Sequence, residues 1–412
     1  MSSSNHIAVA PGITGRRSAQ LATLVVFVAF LDFFIGLPLV PTYADDLGAS
    51  ATMVGIIVAA YSITNLPGNV VAGYFLDRFG RRIPITTGLV VTALALAGYA
   101  VANSAEVLLA VRGLHGIAAA VLTPGAFAML GDSTQQGQRA RRMGRSAAGI
   151  AVAAVVGPAS AGILADRIGY EPVFLIAAGL MAVTAVIYVI GSRGVGETPS
   201  DQEVAETAEE LGNGRLDAVG LTVASVVVVA LTIGIGTLAA YMPLHVEELG
   251  ETSRTSGTAF TLYAVMALIM MVGAMGVFGD RFNRLAIVSG GLLLFGAGLV
   301  LMAANQDVWA VFLGMGVVGL GFGLLFPAAA ALVADSGGTR HRGRAFGIFY
   351  GAYSLGVAAG AAMSGSIADA SSAAPTGVPY LVAGILAIGC IVLALAAMSR
   401  GIGTVRREGE AA

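Results

Sequence analysis

Three side chains that carry or can acquire a charge near neutral pH stand inside apolar stretches of this 412-residue chain. Asp32 lies within LVVFVAFLDFFIGLPLVP, and Arg112 and His115 lie within AVRGLHGIAAAVLTP. A charged group in hydrocarbon costs at least about 2.5–3.5 kcal/mol, so such residues face a cavity or a partner. Counted from the start of its apolar run, Asp32 sits about 17 Å deep at ~1.5 Å per residue, and no other acid stands near the centre of such a run. Burial favours the neutral carboxylic acid and a neighbouring cation favours the carboxylate, so the protonation of Asp32 follows whatever stands beside it. A group held between those influences keeps a proton in one state and yields it when a cationic or hydrogen-bonding solute arrives. That competition is the chemistry of exchange. The alternative is a permanent Asp32–Arg112 ion pair. Arg112, His115, Gly116, Ala119 and Thr123 fall at helical spacings on one side, a polar stripe on an apolar helix. For Arg112 a functional role stands against a snorkelling or structural one, and for His115 both readings are open.

Other polar groups in apolar stretches are Tyr61, Asn65, Asn69, Tyr263, Tyr350 and Tyr353, which either line a cavity or join neighbouring helices through hydrogen bonds. Met266, Met270 and Met271 suit an adaptable apolar pocket or simple core filling. The sequence contains no metal-ligating His/Asp/Glu cluster, no nucleophile paired with a base and no Gly-rich phosphate loop, so enzymatic activity, a metal site and a bound cofactor are not expected. Net charge is −2, which also argues against nucleic acid as a partner. The single cysteine, Cys390, forbids an intrachain disulfide.

The elements that position these residues are set by composition. Hydrophobic residues make up 57% and charged residues 11% of the chain, against roughly 25% charged in soluble domains. Apolar runs long enough to cross ~30 Å of hydrocarbon predict twelve helices, at about 21–40, 53–76, 84–102, 107–130, 146–165, 172–191, 219–242, 257–278, 285–304, 308–334, 345–367 and 378–398. The first is too long, and too poorly flanked by small residues, for a cleaved signal peptide. All 22 basic residues are arginine, and with the N-terminus placed inside all but Arg112, Arg167 and Arg254 fall on the cytoplasmic side; the positive-inside rule then puts both termini in the cytoplasm. An acidic linker at 192–216 separates a bundle at 1–191 from one at 217–412. A shift of 203 positions carries Gly73, Asp77, Arg78, Phe79 and Arg81 onto Gly276, Asp280, Arg281, Phe282 and Arg284. Without a gap it also carries Pro124, Asp132, Gly157, Gly162 and Asp166 onto Pro327, Asp335, Gly360, Gly365 and Asp369. The expected fold is therefore an all-α membrane protein whose twelve transmembrane helices form two pseudo-symmetric six-helix bundles, parallel repeats about an axis along the membrane normal.

The segment GYFLDRFGRR, from Gly73 to Arg82, fits G-x-x-x-D-R-x-G-R-R without a mismatch, and here the chain resembles the major facilitator superfamily. An acid at the C-terminal end of its own helix is electrostatically unfavourable, so Asp77 should find an arginine or another helix's N-terminus. The resemblance implies a cytoplasmic gate in which Asp77 meets the start of the eleventh span. Gly73 would allow close approach, and Arg78, Gly80, Arg81 and Arg82 would complete the network; a tight charged turn is the alternative. The second copy holds Asp280 and Arg281 but has Asn283 in place of Gly80. Arg112 and Gly116 match the family's R-x-x-Q-G signature, with His115 replacing the glutamine. Gly157, Pro158 and Gly162 resemble the antiporter signature of the fifth span, with Ala153 and Ala161 replacing two of its glycines. Small residues and a proline there permit a bend and a tight seal.

The stretch around Asp32 is similar to the first helix of tetracycline exporters and vesicular monoamine transporters. The resemblance implies that Asp32 serves proton coupling or amine recognition, with Arg112 as its electrostatic partner. It further implies a monomeric, multi-pass plasma-membrane transporter, a proton-coupled multidrug-type antiporter that carries a small amphipathic or cationic substrate outward by alternating access. Alternatives are a symporter or facilitator for a sugar, organic acid or other small metabolite and, from a different class, a non-transporting sensor.

Overall fold

A computed structural model describes residues 11–132, 139–193, 217–277, 282–337, 341–371 and 377–402. The expected linker, apart from Ser192 and Arg193, lies outside the described residues, as do Asp280, Arg281 and the side chain of Asp77. The described residues form helices α1 (Pro11–Asp46), α2 (Ala51–Phe79), α3 (Arg82–Ala100), α4 (Ala105–Ala119), α5 (Leu122–Asp132), α6 (Arg139–Ile168) and α7 (Tyr170–Gly191). After the linker come α8 (Ala218–Glu248), α9 (Ser253–Val277), α10 (Arg284–Ala304), α11 (Val308–Gly337), α12 (Arg342–Ala370) and α13 (Val378–Met398). Twelve spans cross by length and composition. Because α4 and α5 share the fourth, the single helix expected at 107–130 is a correction. Pro124 lacks an N–H and its ring opposes the carbonyl four residues back, which is Ala120, the residue at the break.

Helix starts follow from capping. The Ser50 hydroxyl accepts from Met53 N at 3.3 Å, and Asp217 accepts from Val219 N and Gly220 N, each satisfying donors that the first turn leaves free. Between α2 and α3 the chain turns at Gly80 with φ 71°, a conformation open to glycine and costly for other residues. In the second copy Asn283 adopts φ −58° and caps α10 through its own side chain, so that position needs no glycine.

Two apolar cores form. Val25, Leu89, Leu108 and Phe174 belong to the first, while Leu231, Phe295, Met315 and Phe349 belong to the second. Apolar side chains such as Leu94 and Val392 are exposed on the outside of the bundles, a position that carries no hydrophobic cost on a surface facing lipid. The bundles meet where α2 packs on α12, α6 on α9 and α1 on α8.

Glycines show how closely the bundles approach at each end. At the arginine-poor end, a Cβ added to Gly55, Gly162, Gly257 or Gly365 would overlap backbone of the opposite bundle, at Ala361, Ser253, Pro158 and Ala51 respectively. Near mid-span, a Cβ on Gly351 would stand 3.8 Å from Leu66. At the arginine-rich end, Gly73, Gly144 and Gly347 have nothing within 4 Å. Among the described residues the bundles are therefore closed at the arginine-poor end and parted at these glycines at the other. Gly73 makes no close approach in this conformation.

The closed end is also tied by charge. Asp369, at the end of α12, accepts from Ala51 N at 3.2 Å and Thr52 N at 2.9 Å, placing a carboxylate on the positive N-terminus of α2. Asp369→Asn removes that charge and is expected to shift the balance toward opening of this end by about two- to fivefold. Labelling of a reporter cysteine at this seam, placed away from Asp369 and its partners, would check it, and unchanged labelling would show that the contact contributes nothing to closure.

Candidate functional site

Asp32 projects from α1 into the first bundle and lies 2.8 Å, through Oδ2, from His115 Nε2 on α4. The other imidazole nitrogen, Nδ1, is 2.8 Å from the hydroxyl of Tyr99 on α3. Arg112, one turn before His115, donates from Nη1 to that same hydroxyl at 3.2 Å. Its guanidinium also lies over the Tyr61 ring of α2, 4.7 Å from the centroid, in cation–π contact. Asp32 is 6%, Arg112 5%, His115 1% and Tyr99 1% exposed, so the four form a continuous, buried polar chain.

Local packing holds this chain in register. Gly116 lets α4 lie against α2, because a Cβ there would strike Thr64 and the Tyr61 carbonyl. Thr64 donates to Gly113 O at 2.9 Å and Asn65 donates to Gly116 O at 3.0 Å across the same contact. Tyr43 of α1 donates to the carbonyls of Tyr99 and Ala102, both at 3.0 Å, anchoring the end of α3. Phe174 packs edge-on against the Tyr99 ring at 5.1 Å.

The arrangement differs from the expected one at several positions. Arg112 is not the direct partner of Asp32. His115 is, since the i, i+3 spacing on α4 carries the imidazole to the level of Asp32 and leaves the guanidinium against Tyr99 and Tyr61. Asn65 belongs to helix packing, because its amide donates to α4 and its Oδ1 accepts from Asn69 at 2.6 Å. Tyr263 and Tyr353 lie in the opposite bundle, linked through a stacked Phe322–Phe326 pair with centroids 5.2 Å apart. Arg78 turns back to Tyr74 at 3.1 Å and to the Phe79 ring, and Arg82 donates to Val189 O at 3.3 Å, tying α3 to α7. The Arg81 carbonyl accepts from Tyr188 at 3.4 Å.

The glycines of the fifth span make close packing contacts. Gly157 lets α6 approach Phe34 of α1, while Pro158 and Gly162 face Gly257 and Ser253 of α9. Thr261 adds a hydrogen bond to Val155 O at 2.9 Å. Sequence reasoning missed Tyr99, whose position at the end of an apolar run reads as an interfacial aromatic. It also missed Phe322 and Phe326, whose i, i+4 spacing on α11 was the available signal.

A model of the Major Facilitator Superfamily matches residues 22–250 and 224–410. Multidrug resistance protein 1 of Bacillus subtilis (strain 168) is 28% identical over 314 residues, 76% of this chain and 80% of that protein. Quinolone resistance protein NorA of Staphylococcus aureus (strain COL) is 22% identical over 370 residues, 89% of this chain and 93% of its own. Among solved structures, a POT family transporter in complex with 5-aminolevulinic acid superposes with a TM-score of 0.74 at 14% identity, covering 93% of this chain and 96% of that one.

Proposed function

From the premise that this chain belongs to the Major Facilitator Superfamily and is a membrane transporter, we propose that it exports a small amphipathic or cationic compound across the plasma membrane in exchange for protons. The observation that carries this reading is the buried Asp32–His115 pair backed by Arg112. With a neutral imidazole, the carboxylate and the guanidinium cancel. One proton or one cationic solute raises the cluster to a net single positive charge, and both together raise it to two. Two like charges about 4–6 Å apart at an effective dielectric near 20 repel by about 3–4 kcal/mol. The two loads therefore exclude one another, which yields exchange rather than co-transport. The names of the bacterial relatives, multidrug and quinolone resistance proteins, support a drug-like solute.

The arginine-rich end faces the cytoplasm on the positive-inside rule, with both termini on that side. Solute enters through the parted end, displaces the proton from the Asp32–His115 pair, and the bundles rock. The seam at Gly55, Gly162, Gly257 and Gly365 opens while the Gly73–Arg82 segment closes against α12 as the cytoplasmic gate. Outside, an incoming proton displaces the solute. Both bundles lie in one chain, so a monomer suffices, and the proton gradient replaces any cofactor.

The test is an imposed pH gradient across proteoliposomes, with cationic dyes, amines and antibiotics as solutes. Acid-loaded vesicles are expected to take up the solute while their interior becomes more alkaline. Uptake driven only by external acid would mean co-transport and would overturn the reading.

A further inference from the structure

Tyr99 stands between a group that can only donate and one that can do either. A guanidinium has no acceptor, so the Arg112 Nη1–H occupies a lone pair of the Tyr99 oxygen. The phenol proton is then directed at its other partner among the described residues, His115 Nδ1, 2.8 Å away. A neutral imidazole carries one N–H. With Nδ1 accepting, that hydrogen sits on Nε2, which faces Asp32 Oδ2 at 2.8 Å. Donation runs in one direction, from Arg112 through Tyr99 and His115 to Asp32.

We propose that Tyr99 is a positioning residue for proton coupling, holding His115 in its Nε2–H tautomer so that the carried proton loads on Asp32 rather than on the imidazole. This deepens the exchange reading above and rests on it. For His115 to take the proton, Nδ1 would become a donor. Tyr99 would have to swing its hydroxyl hydrogen away, leaving its oxygen facing two N–H donors and its own hydrogen aimed at neither partner. An unmet buried hydroxyl costs about 1–3 kcal/mol, and the fixed charge of Arg112 adds to the bias. The hydroxyl has little room to move, since Tyr43 pins the Tyr99 backbone and Phe174 packs on the ring. The titratable groups facing His115 are Asp32 from α1, Tyr61 from α2, Tyr99 from α3 and Arg112 from its own helix. Loading on the carboxyl leaves the imidazole as a fixed donor.

The experiment reads the tautomer directly. Wild-type protein labelled with 15N-histidine is measured in lipid bilayers by solid-state NMR, the His115 signals being assigned by their loss in His115→Gln. The expected result is a protonated Nε2 and a bare Nδ1. Removal of the hydroxyl donor in Tyr99→Phe, with the ring kept, should produce imidazolium or mixed tautomers. It should also displace the pH profile of exchange from that of wild type, with little change in solute affinity at alkaline pH. A wild-type His115 protonated on Nδ1, or a Tyr99→Phe pH profile superimposable on wild type, would overturn the proposal. The wild-type tautomer measurement needs no transport, so absence of proton-driven exchange would sink the exchange reading while the assignment of Tyr99 is judged separately.

Discussion

Asp32→Asn is expected to reduce proton-driven solute accumulation in proteoliposomes at least tenfold. Asparagine has nearly the same shape, and its carbonyl still accepts from His115 Nε2–H, so the packing of α1 on α4 survives. The variant loses the only described acid in this buried cluster, and with it the atom on which the proton loads. It also leaves the Arg112 charge unbalanced in a region where a lone charge costs at least about 2.5–3.5 kcal/mol, a penalty that any cationic solute would add to. Accumulation should collapse while the protein still reconstitutes as a monodisperse species. Accumulation at the wild-type level would remove Asp32 from the mechanism, whatever the behaviour of His115.

Gly162→Val is expected to slow transport in both directions by about tenfold or more, through a different physical route. The added side chain would overlap the Ser253 carbonyl and the Arg254 backbone, so the arginine-poor end could no longer close. Forcing extra carbons into a packed contact costs about 1–3 kcal/mol, and under the proposed alternating-access cycle every turnover passes through the closed seam. Labelling of a reporter cysteine near that seam should rise together with the loss of transport. Gly73→Val serves as the contrasting substitution, since its site has nothing within 4 Å. It should leave this conformation intact and impede only closure of the opposite end. If Gly162→Val cycles at the wild-type rate, the seam is not the barrier that the glycine contacts suggest.

Much of the architecture is legible because hydrocarbon imposes a one-dimensional rule: a span is an apolar run of sufficient length. The twelve spans fall where the runs fall, although several helices overrun them. The first predicted span, 21–40, lies within α1, Pro11–Asp46, because helical hydrogen bonding continues past the hydrocarbon edge even after hydropathy has dropped. The break at Ala120 depends on Pro124, which was visible, but apolarity on both sides hid it from a hydropathy window. The duplication was readable because equal spacing survives where identity does not. In the structure it reappears as paired contacts, Gly162 against α9 and Gly365 against α2.

By itself the sequence determined that the chain spans the membrane twelve times, that its halves are copies, and that Asp32, Arg112 and His115 lie too deep in apolar runs to be without partners. Those conclusions rest on composition and spacing, which are local. Which of the two basic residues meets Asp32, that Tyr99 from a third helix joins them, and which end of the molecule is closed were decided by tertiary structure alone. These depend on the rotation and depth of one helix against another, and with a 3.6-residue turn a displacement of one turn is enough to exchange Arg112 for His115 as the partner of the carboxylate.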